Sequence, residues 1–187
     1  GLGERGISQA TIFNHWKVVD KIPPEYRLLN FGLDFGYTND PTSCVAVYTD
    51  GHGYILDELI YATGFTNSRI AEEMRLAGVG RHDMVIADCA EPKSIDEIHG
   101  FGFNMHPCRK GADSVRSGID YMKSHPLAIT SASMNGIKEL RNYKYREDKN
   151  GRVLNTPVDA FDHFMDASRY AITFNQTNPN FGKYTVG

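Results

Sequence analysis

Cysteine is scarce in this sequence: Cys44, Cys89 and Cys108 are odd in number and widely spaced. No Cys-x-x-Cys pair occurs, so the spacing argues against a structural zinc site and favours reduced thiols packed in a cytosolic core. The sequence also has no apolar run of about 18 residues and no signal-peptide pattern, and we expect neither a membrane span nor secretion. It lacks the pattern Gly-x-x-x-x-Gly-Lys-Ser/Thr as well, which excludes a P-loop that holds a triphosphate.

An excess of positive charge is also missing. The 20 basic residues are outnumbered by 23 acidic ones, which gives a formal net charge of -3, so any contact with nucleic acid must come from a local patch. A length of 187 residues, of which 41% are hydrophobic, fits a single soluble domain with a packed core.

The predicted elements change in kind along the chain. Three strands come first, at about 28–36, 43–49 and 54–61, and an Asp-Gly-His-Gly turn joins the last two as a hairpin. From residue 67 to residue 130 helical and strand patterns alternate, which implies parallel crossovers. We therefore predict an α/β fold whose central mixed sheet begins as an antiparallel meander and continues with parallel strands. Residues 1–27 are predicted to form an arm that leads into this domain.

A carboxylate interrupts the first predicted strand. Asp34 lies between Leu33 and Phe35 in an apolar run. A buried ionised carboxylate is costly unless it is paired, hydrogen-bonded or bound to a metal. Gly32 and Gly36 leave the neighbouring backbone open to close approach by a ligand. On this stretch alone two interpretations stay open: Asp34 caps the end of a strand, or it belongs to a functional site.

The last predicted helix, over 161–174, carries a second group of polar residues. Asp162 and His163 each lie about one turn before Asp166, so the three side chains converge near one point. The plainer interpretation is a helix surface whose acids pair with Arg169. His163 is also a candidate metal ligand or proton carrier, because we expect its neutral imidazole to be available near pH 7.

Three acids from distant parts of the sequence suggest a common site. Asp34 lies in the first strand, Asp88 ends the apolar strand at 84–88, and Asp166 lies on the last helix. Oxygen ligands of this kind suit Mg²⁺ or Mn²⁺. Two such ions can activate a water and stabilise the leaving oxygen when a phosphodiester is hydrolysed. We therefore predict that the three acids, with His163, are the catalytic and metal-binding residues.

A basic segment follows the alternating region. Its positively charged residues are Lys138, Arg141, Lys144, Arg146, Lys149 and Arg152. The sequence Asp-Lys-Asn-Gly at 148–151 predicts a hairpin turn, so we expect these side chains to lie on two strands. A solvated hairpin and a DNA-binding ribbon both fit this composition. The other basic surface that can meet DNA lies around Lys93, Arg109 and Lys110.

Four motifs carry a resemblance to a known family. They are GLDFGYT at 32–38 with DPT at 40–42, ADCAEPKSI at 87–95, KG at 110–111, and DHFMDASRYA at 162–171. Their order and spacing resemble the C-terminal nuclease domain of the large subunit of tailed-phage terminases, over roughly residues 28–175. The resemblance implies a ribonuclease H-like fold, with helices flanking a central mixed sheet. It also implies metal-dependent endonuclease cutting of concatemeric double-stranded viral DNA during packaging.

The same resemblance assigns roles to residues. Asp34, Asp88 and Asp166 fall on the family's metal-binding acids, and His163 falls on an auxiliary histidine of some members. The basic hairpin falls where the family has a β-hairpin beside the DNA groove. The expected DNA-binding residues are Lys110, Arg141, Lys144, Arg146 and Lys149.

The resemblance also sets expectations for partners and location. Besides double-stranded DNA, it implies an N-terminal packaging ATPase domain of the same subunit, the terminase small subunit and the portal, in the cytoplasm of a bacterial host. We expect residues 1–27 to be the connection from that ATPase domain, 28–175 the nuclease domain and 176–187 a C-terminal tail.

Other classes of protein share parts of the pattern. The phosphate loop of an actin-like or Hsp70-like nucleotide-binding domain resembles residues 33–38, but that fold needs a second phosphate loop and usually about 350 residues. Another ribonuclease H-like nuclease, such as a resolvase, is a further alternative. A DNA-binding regulatory module without catalysis keeps the basic hairpin but does not need three converging acids. Hydrolysis of DNA with added metal, compared with ATP binding, separates nuclease, nucleotide-binding and regulatory functions.

Overall fold

A computed structural model describes residues 10–177, which form a seven-stranded sheet, a two-stranded sheet and five helices. The strands are β1 (Lys17–Val19), β2 (Arg27–Asp34), β3 (Thr42–Thr49), β4 (Tyr54–Ala62), β5 (Met84–Ala87), β6 (Asn104–Pro107), β7 (Leu127–Thr130), β8 (Tyr145–Glu147) and β9 (Val153–Pro157). The helices are α1 (Asn67–Leu76), α2 (Pro92–Gly100), α3 (Ser114–Lys123), α4 (Met134–Asn142) and α5 (His163–Thr177). Within residues 10–177 no helix combines the length and the apolar character needed to cross a membrane.

The large sheet has the strand order β1-β7-β4-β3-β2-β5-β6. Strands β2, β3 and β4 pair antiparallel, whereas the other neighbouring pairs are parallel. This confirms the predicted mixed sheet, in which an antiparallel meander is followed by parallel strands. Because β2 and β5 are parallel neighbours, the residues at their carboxyl ends meet at the same edge of the sheet.

Helices cover both faces of the sheet. Along β3 the side chains alternate: Val45 and Val47 pack with residues of α3, α4 and α5, whereas Cys44 and Ala46 pack with residues of α1 and α2. Helix α5 crosses β2 and β3. The last helix is thus held over the strand that carries Asp34.

The approach of α5 to β2 depends on a glycine. A Cβ atom on Gly32 would overlap the backbone carbonyl of Ala167, so a larger residue would push the helix away from the strand. Two residues earlier on β2, the buried Asn30 donates from Nδ2 to the carbonyl oxygen of Ala171, at 2.9 Å. Close contact and a hydrogen bond therefore fix α5 relative to the strand.

The N-terminal segment differs from the predicted arm. Strand β1 pairs in parallel with β7 at the edge of the sheet, and Ile12 and Phe13 are buried in the core. The three residues of β1 are too short a run to show a period in the sequence. Among the described residues, the folded unit therefore begins before residue 28. Residues 1–9 and the predicted tail beyond residue 177 lie outside the described part of the chain.

The basic segment also differs from the prediction, because its first part is helical. Lys138 and Arg141 lie on α4 and not on a strand. Asn135 and Gly136 in the first turn of α4 are typical of a turn, which conceals this helix in the sequence. Gly136 is required there for packing, since a Cβ atom would come within 2.6 Å of the Phe164 ring. The predicted hairpin is present, but it consists only of β8 and β9.

We expect Gly32→Ala to lower the free energy of unfolding by about 3 kcal/mol, because overpacking against a backbone carbonyl cannot be relieved by a side-chain rotation. Denaturant unfolding measures this change. Gly100→Ala is a matched control, because no atom lies within 4 Å of the added Cβ there. Equal stability of Gly32→Ala and the parent would contradict the close packing of α5 on β2.

Candidate metal centre

The three predicted acids lie at one edge of the sheet. Asp34 is the last residue of β2, and Asp88 directly follows β5. The Asp88 amide donates to the carbonyl oxygen of Leu33, at 3.2 Å, which extends the pairing of the two strands to this point. Asp166 lies in the first turn of α5, which crosses β2. The fold thus brings together acids that are far apart in the sequence.

Asp34 is the most buried of these acids, with 7% of its surface exposed. Its pKa is raised to about 6, chiefly by burial; the nearby charges of Asp166 and Asp88 add to this rise, whereas a hydrogen bond with His163 opposes it. The distance from Asp34 Oδ2 to His163 Nδ1 is 3.3 Å. The Tyr170 hydroxyl donates to the other carboxylate oxygen, at 3.5 Å. Two side chains of α5 therefore orient Asp34, each by contact with a different oxygen of its carboxylate.

The other two acids each contact a cation. Lys110 Nζ lies 3.1 Å from Asp88 Oδ1, and Arg169 Nη2 lies 3.0 Å from Asp166 Oδ1. Burial raises the pKa of Asp166, and Arg169 opposes that effect. Arg169 is itself buried, and within residues 10–177 its Nε atom has no hydrogen-bond partner. Negative charge at this edge of the sheet is therefore balanced by cations of the chain itself.

His163 differs in charge from the expectation. The hydrogen bond to Asp34 raises its pKa to about 9, so the imidazole carries a proton at pH 7. Its Nε2 atom lies 3.6 Å from Asp40 Oδ1 and 3.7 Å from Asp162 Oδ1. Three carboxylates surround the ring and favour the protonated form over the expected neutral imidazole. His163 must release this proton before it can act as a metal ligand.

The donor set fits a hard divalent cation. Asp34 and Asp166 have raised pKa values: after burial, the charges of Asp166 and Asp88 contribute for Asp34 and the charge of Asp162 contributes for Asp166, and a bound cation relieves such repulsion. Carboxylate oxygens with one imidazole are ligands that Mg²⁺ and Mn²⁺ accept. The most compact cluster of potential ligand atoms in residues 10–177 is a different one, Asp88 with Cys89 and Cys108. For the three acids to share a metal ion, Lys110 must release Asp88 and Arg169 must release Asp166.

Glu139 is a site residue that sequence analysis missed. This glutamate of α4 is 1% exposed, and its Oε1 atom accepts hydrogen bonds from the amides of Phe164 (2.8 Å) and Met165 (3.2 Å). These amides belong to the first turn of α5, where no intrahelical acceptor exists. The Tyr61 hydroxyl donates to Oε2, at 2.7 Å. Glu139 thus caps the helix that carries His163 and Asp166, although burial raises its pKa to about 7.

A second glutamate caps the helix that carries Glu139. Glu58 of β4 accepts from the amide of Gly136, at 2.7 Å, and from the side chain of Asn135, at 3.0 Å. Ser133, at the N-terminus of α4, accepts from the Glu58 amide, at 2.8 Å. A local sequence pattern cannot reveal these caps, since each acceptor comes from a distant element.

A groove runs from the acids towards the hairpin. A cavity of about 380 Å³ is bounded by the start of α3, by β9 and by α5, and Asp162, Asp166 and Arg169 line it. The predicted DNA-binding residues are all exposed: Lys110 contacts Asp88, Arg141 lies on α4, and Lys144, Arg146 and Lys149 lie in or beside the hairpin. Arg146 pairs with Asp159, at 2.9 Å.

Comparisons with known proteins agree with this fold. The family model described as the Terminase RNAseH like domain matches residues 34–173. The chain is 31% identical to the large terminase subunit of Bacillus phage SPP1 over 183 residues, which cover 91% of this chain and 43% of that protein. It is 30% identical to the PBSX phage terminase large subunit of Bacillus subtilis over 178 residues, which cover 91% of this chain and 40% of that protein. The chain thus spans less than half the length of these relatives.

Solved structures give the same result. The g2p (large terminase) nuclease domain of bacteriophage SPP1 with bound Mn superposes with a TM-score of 0.74 at 25% identity, over 90% of this chain and 99% of that one. The P22 large terminase nuclease domain has the same fold, with a TM-score of 0.66 at 16% identity over 86% of this chain and 88% of that chain. The fold is therefore that of the ribonuclease H-like class. Within this class, the chain belongs to the terminase large-subunit nuclease-domain family.

We expect Glu139→Ala to lower the free energy of unfolding by about 2–4 kcal/mol, because it leaves two buried amides of α5 without an acceptor. Glu139→Gln should lose less, since its amide oxygen can still accept from Phe164 and Met165. Chemical unfolding of both variants measures the difference. Ser117→Ala, a change at an exposed helix position, is the control and should be close to neutral. Equal losses for Glu139→Ala and Ser117→Ala would rule out the cap.

Proposed function

We propose that this chain is a metal-dependent endonuclease domain that cuts concatemeric double-stranded viral DNA during genome packaging. The observation that carries the proposal is that Asp34, Asp88 and Asp166 lie at the same end of the sheet, where the charges of Asp88 and Asp166 act on Asp34, in a chain of the terminase nuclease-domain family. The reaction is hydrolysis of a phosphodiester, and two hard cations suit it best. The SPP1 relative with bound Mn supports this choice of metal.

The three acids and His163 would hold the metal ions, Mg²⁺ or Mn²⁺. When bound, such ions activate a water and stabilise the leaving oxygen of the cleaved phosphodiester. The protein's own groups prepare the site: Tyr170 and His163 orient the Asp34 carboxylate, and the Glu139 cap fixes the start of α5. His163 holds a proton that can be passed to a nearby carboxylate or to solvent.

The groove beside β9 is the proposed path of the DNA. It leads to Asp166 and is bordered by the hairpin, where Lys144 and Lys149 are exposed. Lys110 is exposed over 58% of its side chain, so it can exchange Asp88 for a phosphate. Arg141 and Arg146 contribute further positive charge on neighbouring elements. We expect these side chains to contact the phosphate backbone of the DNA and not to recognise bases, because the surface is defined by its positive charge.

The wider setting of the domain follows from the family. Because the chain spans 43% of the SPP1 large subunit, we propose that it works together with an N-terminal packaging ATPase domain of the same polypeptide. The small subunit and the portal are the further proposed partners, and the host cytoplasm is the proposed location. An actin-like or Hsp70-like nucleotide-binding function finds no support in the comparisons. A resolvase-type nuclease would instead require a preference for branched DNA.

We expect Mn²⁺ or Mg²⁺ to raise the unfolding temperature of the metal-free protein, because ions that bind only the folded state stabilise it, by about 2.7 kcal/mol at a hundredfold excess over the Kd. Asp34→Asn, Asp88→Asn and Asp166→Asn should each lose most of this shift and all plasmid cleavage. EDTA should stop cleavage by the parent, and ATP should not change it. Thermal unfolding and a plasmid assay provide the two measurements.

The control for this test is Asp120→Asn, which removes an exposed carboxylate of α3. It should keep both the metal-induced shift and the cleavage. Undiminished cleavage in excess EDTA would refute the metal mechanism. Full activity of one of the three Asn variants would remove that acid from the site.

The hairpin is expected to supply part of the DNA affinity. Each lysine that neutralises a phosphate adds about one unit to the slope of log affinity against log salt, so Lys144→Ala with Lys149→Ala should reduce the slope by about two. Cleavage should weaken while the metal-induced thermal shift stays unchanged. Binding of a DNA duplex at several salt concentrations measures the slope.

A control with equal loss of charge separates this effect from net charge. Arg27 begins β2 and Arg81 precedes β5, so both lie at the opposite edge of the sheet from the acids. Arg27→Ala with Arg81→Ala should leave the slope of the parent unchanged. If both double variants gave the same slope, the hairpin would be only a solvated surface, and Lys110 would become the main candidate contact.

A further inference from the structure

A second group of metal-binding side chains lies beside the acids of the proposed nuclease site. One ligand atom from each of Asp88, Cys89 and Cys108 lies within 4.8 Å of the other two. We call these three residues the thiol–carboxylate cluster. Both cysteines are free, with Cys108 buried and Cys89 half-buried. Two sulfurs and one carboxylate thus face a common point near the surface.

The fold determines this proximity. Strands β5 and β6 are parallel neighbours, and Ala87 lies opposite Pro107 at their carboxyl ends. The next residues of both strands therefore leave the sheet side by side, and the Cys108 amide donates to the carbonyl oxygen of Ala87, at 2.7 Å. On the other strand the Ala90 amide donates to Asp88 Oδ1, at 3.0 Å. The backbone that presents the three ligands is held on both sides.

The ligand chemistry of this cluster differs from that of the nuclease site. Thiolates prefer soft or borderline ions, whereas Mg²⁺ and Mn²⁺ prefer oxygen. Two thiolates and one carboxylate supply three ligands of a tetrahedral zinc site, and a water takes the fourth position. We propose that Asp88, Cys89 and Cys108 bind a thiophilic divalent cation, Zn²⁺ or Cd²⁺, and that this ion competes with the hard cations for Asp88.

Binding requires two local changes. Lys110, which contacts Asp88 Oδ1, is largely exposed and can turn into solvent when a cation takes its place. Each of the two coordinating thiols also gives up its proton to solvent, so two protons are released for every ion bound. No oxidation or reduction occurs in this process.

The expected consequence is inhibition by thiophilic ions. An ion at the thiol–carboxylate cluster uses the Asp88 carboxylate and places positive charge beside the hard-metal site, so it weakens the binding of a hard cation there. This inhibition rests on the proposed nuclease function, whereas the binding of the ion does not. The two parts of the proposal are therefore measured separately.

The binding test is a titration of metal-free protein with Cd²⁺ in a phosphine reductant, followed by the ultraviolet charge-transfer absorption of cadmium thiolates. We expect the band to saturate at one ion per chain. Cys89→Ser and Cys108→Ser should each weaken the band and reduce the affinity by at least about tenfold, as the loss of a ligand does. Asp88→Asn should keep the band but bind more weakly.

The matched control is Cys44→Ala, which removes the one other cysteine, buried in β3. It should keep the band and the affinity of the parent. Absence of a saturable band in the parent would overturn the proposal, and so would an unchanged band in both serine variants. Unchanged affinity of Asp88→Asn would overturn the competition for Asp88. Cys89→Ser, at the more exposed position, keeps the test valid if Cys108→Ser does not fold.

The activity test adds Zn²⁺ to a cleavage reaction with excess Mg²⁺. We expect inhibition of the parent and at least about tenfold weaker inhibition of the double variant Cys89→Ser with Cys108→Ser, as expected when metal ligands are lost. Equal inhibition of both proteins would overturn the proposal. If no variant cleaves DNA under any condition while the cadmium band is present, the proposed function fails but the metal site stands.

Discussion

The hydrogen bonds that Glu139 accepts from the first turn of α5 are the interaction on which the candidate site depends. His163 and Asp166 lie in that turn, whose amides need an acceptor that the helix cannot provide. Glu139 provides it from α4, and Glu58 in turn caps α4 from β4. The sheet therefore positions the helical residues of the site through two glutamates, the half-buried Glu58 and the buried Glu139. A carboxylate is a stronger acceptor here than a neutral side chain, since it faces the positive end of a helix.

The acids of the site oppose folding more than they support it. Burial disfavours the charged form of Asp34 and of Asp166, and their neighbours increase this effect. His163 reduces this effect on Asp34 and Arg169 reduces it on Asp166, both by direct contact, while Lys110 contacts Asp88. These cations are also the groups that must move or lose a proton when a metal ion binds. The arrangement is thus neutralised without metal yet retains carboxylates that a divalent cation can use, which suits a site that exchanges its ions.

Features encoded locally were predictable, and features made by distant contacts were not. The apolar run before Asp34 and the strand before Asp88 predict both strand ends, so the meeting of these acids follows from parallel pairing. Strand β1 has only three residues, and Asn135 and Gly136 conceal α4, so both elements escape pattern analysis. Glu139 resembles any helical glutamate in the sequence, because its role depends on Phe164 and Met165 across the fold. The charge of His163 depends likewise on Asp34.

The cysteines also show that contacts between distant residues escape sequence analysis. The spacing of Cys89 and Cys108 argues against a zinc site, since zinc ligands often come in closely spaced pairs. In a parallel sheet, metal ligands need not be close in sequence. The residues that follow two neighbouring strands lie side by side however long the crossover between the strands is. Among residues 10–177, Asp88 follows such a strand, acts on Asp34 through its charge and has a carboxylate oxygen within 4.8 Å of both sulfurs. The Asp88 carboxylate can therefore bind either a hard or a soft cation. The cysteine thiols beside it favour the soft one. Serine in place of both cysteines would leave only oxygen ligands in the thiol–carboxylate cluster, which favours Mg²⁺ and Mn²⁺.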